Sequence, residues 1–234
     1  MKKYELTAEF IEQWGKKLFR IKALISFGSV EAGELGGYVE KEDNLAQDGD
    51  AWVCDDAWVY GDAKVYGNAR VCGDAEVYGD AWVYGNARVC GNAKVYGNAE
   101  VYGNAEVYGD AWVYGDAWVY GNAEVYGNAR VCDDAGVYGD AEVYGDARVC
   151  GNARVCGNAR VCGNADCLLI GRIGSRFSFT TFFKNKDKGI TVSCGCFLGT
   201  IAEFRAKVTD THGNNKHAKM YNLAADMAEL QILG

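Results

Sequence analysis

A six-residue period governs the middle of this chain. From Ala51 to Ala165 the sequence reads Val-(Tyr or Cys)-Gly-(Asn or Asp)-Ala-X almost without a break. Valine falls at 53, 59, 65 and every sixth position to 161, and alanine at 51, 57, 63 and on to 165. A strict short period of this kind specifies a solenoid rather than a globule. An α-helix cannot use it, because residues six apart on a helix stand about 240° from one another. A long flat strand needs period two. Period six works when each hexad is a short strand plus a corner and three hexads close a triangular coil of eighteen residues. Val then points inward from the middle of each side, and Ala points inward beside the corner, where a larger side chain does not fit. Gly holds the third hexad position seventeen times in nineteen, with Asp55 and Asp133 the exceptions, and Asn or Asp always follows. These residue types tolerate the left-handed backbone a tight corner requires. Coils stack at the β spacing of about 4.8 Å. Each buried Val contributes ~1.5–3 kcal/mol before chain entropy is subtracted, so no repeat is stable alone.

The expected fold is an all-β solenoid: a left-handed parallel β-helix of about six eighteen-residue coils over 47–167. An N-terminal cap covers 1–46, and a C-terminal ββαα module covers 168–234. In the cap, Leu6–Trp14 reads as a short helix with Thr7 as N-cap. Leu18–Ile21 reads as a strand, and the Gly33, Gly36, Gly37 cluster turns into the solenoid, with the register locking after Asp50. In the module, Arg176–Lys184 and Ile190–Phe197 form a hairpin around 185–189. Thr200 and Glu203 form a capping box for a helix that Gly213 stops. A second helix runs from Asn215 to Leu230 with apolar residues at 218, 221, 224, 227 and 228. The module either covers one open end of the solenoid or is a separate interaction unit.

The strings VYGNAR, VYGDAW and VCGNAK resemble the hexapeptide-repeat family, whose members form left-handed parallel β-helices. The segment SVEAGELGGYVEKEDNLAQDGDAWV resembles YdcK-like proteins, a group often labelled as acyltransferases. The C-terminal segment from Ile190 is similar to a module of phage and prophage proteins. The resemblance implies acyl transfer, with a histidine base near a loop that interrupts the coils of a trimer. Here the coils have neither the loop nor a histidine; His212 and His217 both lie in the C-terminal module. The enzyme reading therefore leans to no, since nothing else in the coils serves as a base at neutral pH. Ice-binding solenoids, by resemblance, carry threonine rows, and these coils contain no threonine.

Composition narrows the partners. A net charge of −8 argues against nucleic acid, which attracts a basic footprint. No run of eighteen apolar residues marks a membrane helix and no signal peptide opens the chain, so a cytoplasmic location is expected. Seven of the ten cysteines (54, 72, 90, 132, 150, 156, 162) sit where Tyr is the usual occupant, and they read mainly as reduced side chains. Aligned parallel side chains give poor disulfide geometry. Cys194 and Cys196 lack two further ligands at metal spacing beyond Cys167, His212 and His217. No cofactor and no metal are expected.

Sorting the outer columns by eighteen separates three sides. Side three, with Tyr66, Trp82, Tyr84, Tyr102, Trp118 and Tyr120, is the candidate recognition surface for a protein or a glycan. The plainer reading is that stacked rings only stabilise the coils. Side one orders Arg70 and Arg88 before Glu106, Glu124 and Glu142, which an antiparallel copy of the chain would complement, giving a homo-oligomer. Arg130, Arg148, Arg154 and Arg160 near the last coils are a candidate site for a small anionic, nucleotide-like ligand. Stacked Asp62 and Asp80, and Asp116 and Asp134, offer a weak calcium candidate. The expected function is a non-enzymatic scaffold or binding protein that self-associates. The alternatives are sequestration of an anionic ligand and an acyltransferase of the hexapeptide family.

Overall fold

A computed structural model describes residues 2–234. Each hexad forms one short strand, so that after β1 (Tyr4–Gln13), β2 (Lys16–Ala23) and β3 (Leu35–Val39) come nineteen strands, β4 to β22, from Trp52–Val53 to Arg160–Val161. They stack as a parallel β-solenoid with three sides of seven, six and six strands, and β1, β2 and β3 extend one of the six-stranded sides to a nine-stranded sheet. Within β4 to β22 the strands pair at a spacing of eighteen residues: Val89 sits between Val71 and Val107. Val53 through Val161 and Ala51 through Ala159, at every sixth position, are at most 1 % exposed. Ala165 is exposed, because the chain leaves the last coil in a short 3-10 turn, Asn164–Asp166.

The corners explain the glycines. Gly85 has φ +71°, and a Cβ there would come within 3.0 Å of the Gly103 nitrogen in the next coil. Asp55 and Asp133 keep the same left-handed backbone, at φ 56° and 57°. Asp is among the few residues that tolerate it, because its short side chain hydrogen-bonds locally. Here each carboxylate accepts the N–H of the corner one coil on, Gly73 and Gly151, both at 3.0 Å.

The N-terminal cap differs from the sequence expectation. Leu6–Trp14 is not a helix; it is most of β1, paired antiparallel to β2 through Phe10–Phe19 and Ile11–Leu18. Trp14 and Gly15, at φ 48° and 76°, form the tight left-handed hairpin turn that joins the two strands. The first coil leaves unpaired N–H and C=O groups, and strands can satisfy that edge while a helix cannot. Gly36 and Gly37 do not turn the chain. They lie in β3, where a Cβ would strike the carbonyls of Val53 and Ala57. The coil also starts before Asp50: Val39 pairs with Val59, and Leu45 bridges Val65. Both lie twenty residues before their partners rather than eighteen, which hides the register. Trp52, which heads the outer column of Arg70 and Arg88, is fully buried beneath Tyr4 and Phe27, at ring distances of 6.2 and 5.4 Å.

The C-terminal module has four strands, not two: β23 (Cys167–Ile173), β24 (Ser178–Lys184), β25 (Ile190–Cys194) and β26 (Phe197–Thr200), in that antiparallel order. Consecutive strand residues face opposite ways. Phe183 accordingly enters the solenoid core, while Phe182 enters a second core with the helices α1 (Ile201–His212) and α2 (Lys216–Leu233). Arg154 N–H donates to Thr181 Oγ1 at 3.0 Å, and Ala159 bridges Asn185. The module thus covers the open end of the last coil. Thr200 and Glu203 form the capping box, and Gly213 ends α1 at φ 56°. Within α2 the inward residues are 218, 221, 224, 225, 228 and 232; Met227, expected inside, is 58 % exposed.

Four of the repeat cysteines are not free thiols. Cys54 is bonded to Cys72 and Cys132 to Cys150, with Cα atoms 4.7 and 4.6 Å apart. Stacking at the coil spacing brings such pairs within disulfide reach, contrary to the expectation from side-chain alignment.

Val101 stands mid-solenoid with Val83 and Val119 on either side. Val101→Ala leaves a cavity that neighbouring coils cannot close, at a cost of about 2 kcal/mol. Lys64→Ala, on an exposed column, changes stability by less than about 0.5 kcal/mol. Urea denaturation of both variants checks the contrast.

Candidate functional site

Side three is the six-stranded sheet. Its tyrosines stack one coil apart: Tyr66–Tyr84, Tyr84–Tyr102, Tyr102–Tyr120 and Tyr120–Tyr138 lie at 4.8–4.9 Å with rings within 7° of parallel. The other two sides carry shorter ladders, Tyr60–Tyr78–Tyr96–Tyr114 and Tyr108–Tyr126–Tyr144. The ladders are therefore general to the fold, and stacking alone accounts for them. Trp82 and Trp118 are different. Each is 41 % exposed. They stand two coils apart, about 10 Å, on either side of Glu100. Lys64 Nζ lies over Trp82 at 6.0 Å and the Arg154 guanidinium over Trp118 at 5.0 Å. Gly136 makes room for that second contact, since a Cβ there would press on Arg154 Cδ. Glu100 accepts a hydrogen bond from Tyr84 Oη at 2.8 Å. Burial, then that carboxylate, pushes the Tyr84 phenol well above its ordinary range.

The charged column of side one runs as read from sequence, Arg70, Arg88, Glu106, Glu124, Glu142, Arg160. Arg88 reaches Glu106 at 3.7 Å, Arg160 reaches Glu142 at 3.1 Å, and Glu124 accepts from Tyr108 Oη at 2.9 Å. Part of its charge is engaged within the chain, in exposed pairs worth little individually.

The four C-terminal arginines stand on three different sides. Arg130 and Arg148 are register neighbours on the nine-stranded sheet, where Arg130 also lies over Trp112 at 4.5 Å. Arg154 faces side three and donates to the Asp134 carbonyl, and Arg160 belongs to side one. Arg130 and Arg148 share a concavity, with Asn128 and Asp146. In the corners the amides form a ladder, Asn68 to Asn86 to Asn104 to Asn122 to Asp140, each step 3.0 Å. Asp62 and Asp116 are taken up by Lys41 and Asn98.

A cavity of about 400 Å³ opens in the C-terminal module, lined by Arg176, Cys194, Cys196, Thr211, His212 and Tyr221 among others. His212 stacks on Tyr221 at 5.7 Å and lies 5.9 Å from His217. Gly174 has no side chain because the Tyr221 hydroxyl fills that space. Cys167 lies at the other end of the sheet, opposite Phe183 and against the solenoid core.

Two features escaped the sequence reading. Cys54–Asp55–Cys72 and Cys132–Asp133–Cys150 each bring three ligand atoms within 4.8 Å of one another. Their signal was the repeated string Cys-Asp-Asp-Ala with a cysteine eighteen residues on. The second is an apolar outer stripe on α2, with Leu223, Met227 and Leu230 each more than half exposed. Its 3-4-3 spacing from Met220 was legible as a heptad seam.

The family model described as YdcK Beta solenoid repeat matches residues 69–85, about one coil. A search of curated proteins gives no match. No helix of the described residues is long and apolar enough to cross a membrane.

The ladders make alkaline stability predictable. Tyr78 is pushed up to about 12, first by burial and then by Tyr96 and Glu76. A phenol with a raised folded-state pKa keeps its proton longer in the folded chain. Its contribution is whole below the unfolded value near 10 and is lost as pH climbs to about 12. Stability should therefore fall above pH ~10. Phenolate absorbance should also lag that of free tyrosine until the coils open. Normal titration of all the tyrosines in the folded protein contradicts the ladder.

Proposed function

We propose that this protein is a non-enzymatic scaffold, a solenoid capped at both ends that self-associates and recognises a partner through side three. Trp82 and Trp118 carry this reading. The valines, tyrosines and amides find partners one coil away, whereas these two indoles remain exposed between cations. Large, amphipathic, exposed aromatics are what protein interfaces concentrate, and their flat faces also suit sugar rings.

Self-association draws on a second observation. The seam Met220, Leu223, Met227, Leu230 belongs to a helix whose opposite face is already packed on its own sheet. Laid antiparallel on a second copy, Met220 meets Leu230 and Leu223 meets Met227. The anionic-ligand alternative rests on Arg130 and Arg148, the two arginines of the four that share a surface. The acyl-transfer alternative would have to draw on His212 and His217, which stand outside the coils.

Sedimentation of the full chain tests the proposal. The scaffold reading expects a reversible homo-oligomer. Leu223→Glu with Met227→Glu weakens it by at least tenfold without lowering the melting temperature. Trp82→Ala with Trp118→Ala leaves the helix seam intact and lowers binding to a glycan array or to a partner protein. A wild-type chain that stays monomeric at high micromolar concentration overturns self-association. Double-tryptophan variants that bind as wild type does overturn side three as the recognition face.

A further inference from the structure

The corner position of the hexad is Gly seventeen times in nineteen, and both departures have the same surroundings. Asp55 follows Cys54 and lies beside Cys72 of the next coil; Asp133 follows Cys132 and lies beside Cys150. A third stacked pair provides an internal contrast. Cys72 and Cys90 are also one coil apart, but Gly73 follows Cys72, and Cys90 is free. The carboxylate thus accompanies two of three stacked cysteine pairs and no other corner. Corner geometry alone does not require it, since every other corner except the last, Gly163, holds the same left-handed backbone with Gly. Nor does a disulfide require a carboxylate.

We propose that each Cys-Asp…Cys trio, when reduced, is a binding site for a soft divalent cation of the zinc class. Two thiolates and one carboxylate oxygen are a zinc-type donor set, with water completing a tetrahedron. Metal–sulfur bonds of about 2.3 Å place two tetrahedral thiolates about 3.7 Å apart. Cysteines on adjacent coils, with Cα atoms 4.7 and 4.6 Å apart, can meet that span without moving the backbone. Oδ2 of each Asp accepts the Gly73 or Gly151 N–H, which orients the carboxylate toward the cysteines; at Asp133 the same oxygen lies 3.8 Å from Cys132 Sγ. Each disulfide takes two electrons from the reductant: two thiols give up their protons as well and become a disulfide, whereas a phosphine takes the oxygen of a water molecule, whose two protons go to the cysteines. The two resulting thiols release their protons as the cation binds. Oxidised, the pairs join adjacent coils covalently; reduced, the cation joins the same coils.

Cobalt(II) added to the reduced, desalted, full-length protein tests this. The expected result is thiolate-to-cobalt charge-transfer absorbance with tetrahedral visible bands, saturating at two equivalents and displaced by zinc. Cys72→Ser and Cys150→Ser should each remove one equivalent. Asp55→Gly with Asp133→Gly restores the corner residue used elsewhere in the coils, so it preserves the fold. It should weaken cobalt binding by about tenfold or more. Four outcomes overturn the proposal. They are no charge-transfer band, cysteine pairs that stay bonded after reductant, a signal that survives loss of Cys72 and Cys150, and unchanged affinity in the double glycine variant.

Discussion

Everything in this molecule follows from one constraint: each side chain of a coil must tolerate its counterparts about 4.8 Å above and below. Val on Val and Ala on Ala satisfy it by filling the prism without gaps. Tyrosine rings satisfy it by stacking nearly parallel, and asparagine amides by passing one hydrogen bond upward at each step. Glycine satisfies it at the corner, where a Cβ would press on the next glycine's backbone. Like charges satisfy it poorly. Glu106, Glu124 and Glu142 stand in one column, relieved by Arg88, Tyr108 and Arg160. Stacked cysteines face the same demand and meet it by bonding to each other.

The coils were legible because this constraint writes itself into sequence as a period. One strand per hexad, three sides and inward Val and Ala all follow from spacing. The ends were less legible, because a cap makes each contact once and leaves no period to read. Leu6–Trp14 has a composition that suits a helix, and it is pairing with β2, which continues through β3 onto the first coil, that makes most of it a strand. Val39 and Leu45 already sit at core positions, but two extra residues shift them out of phase. The C-terminal helices were found through their stop and start signals, Thr200, Gly213 and Asn215. Met227 was misplaced because α2 has apolar residues on two faces, and sequence does not say which one meets the sheet.

The outer columns divide in the same way. That Trp82 and Trp118 share a side was readable by counting eighteens. That Trp52 lies under Tyr4 and Phe27 was not, since the cap's path over the first coil is a matter of tertiary contact. The four arginines gather in the last coils, but a coil distributes neighbours six residues apart onto different sides, which counting by eighteens already shows. Arg148, Arg154 and Arg160 therefore point three ways. The Cys-Asp-Asp strings were visible, but their meaning depended on knowing which cysteine lies one coil on.

Because each residue meets its own kind one coil away, the length of the rod comes in whole steps. Removing eighteen residues from the middle of the repeat leaves every column in register and both caps seated on unchanged neighbours. Removing six moves everything beyond the cut onto the next side, so that Trp82 and Trp118 would part company if the cut fell between them. A gene of near-identical repeats invites unequal exchange during copying, and most such exchanges shift by some multiple of six. Only one slip in three preserves the faces. The register thus separates changes of length that keep the surface from those that scramble it, and the protein can grow or shrink while showing the same face.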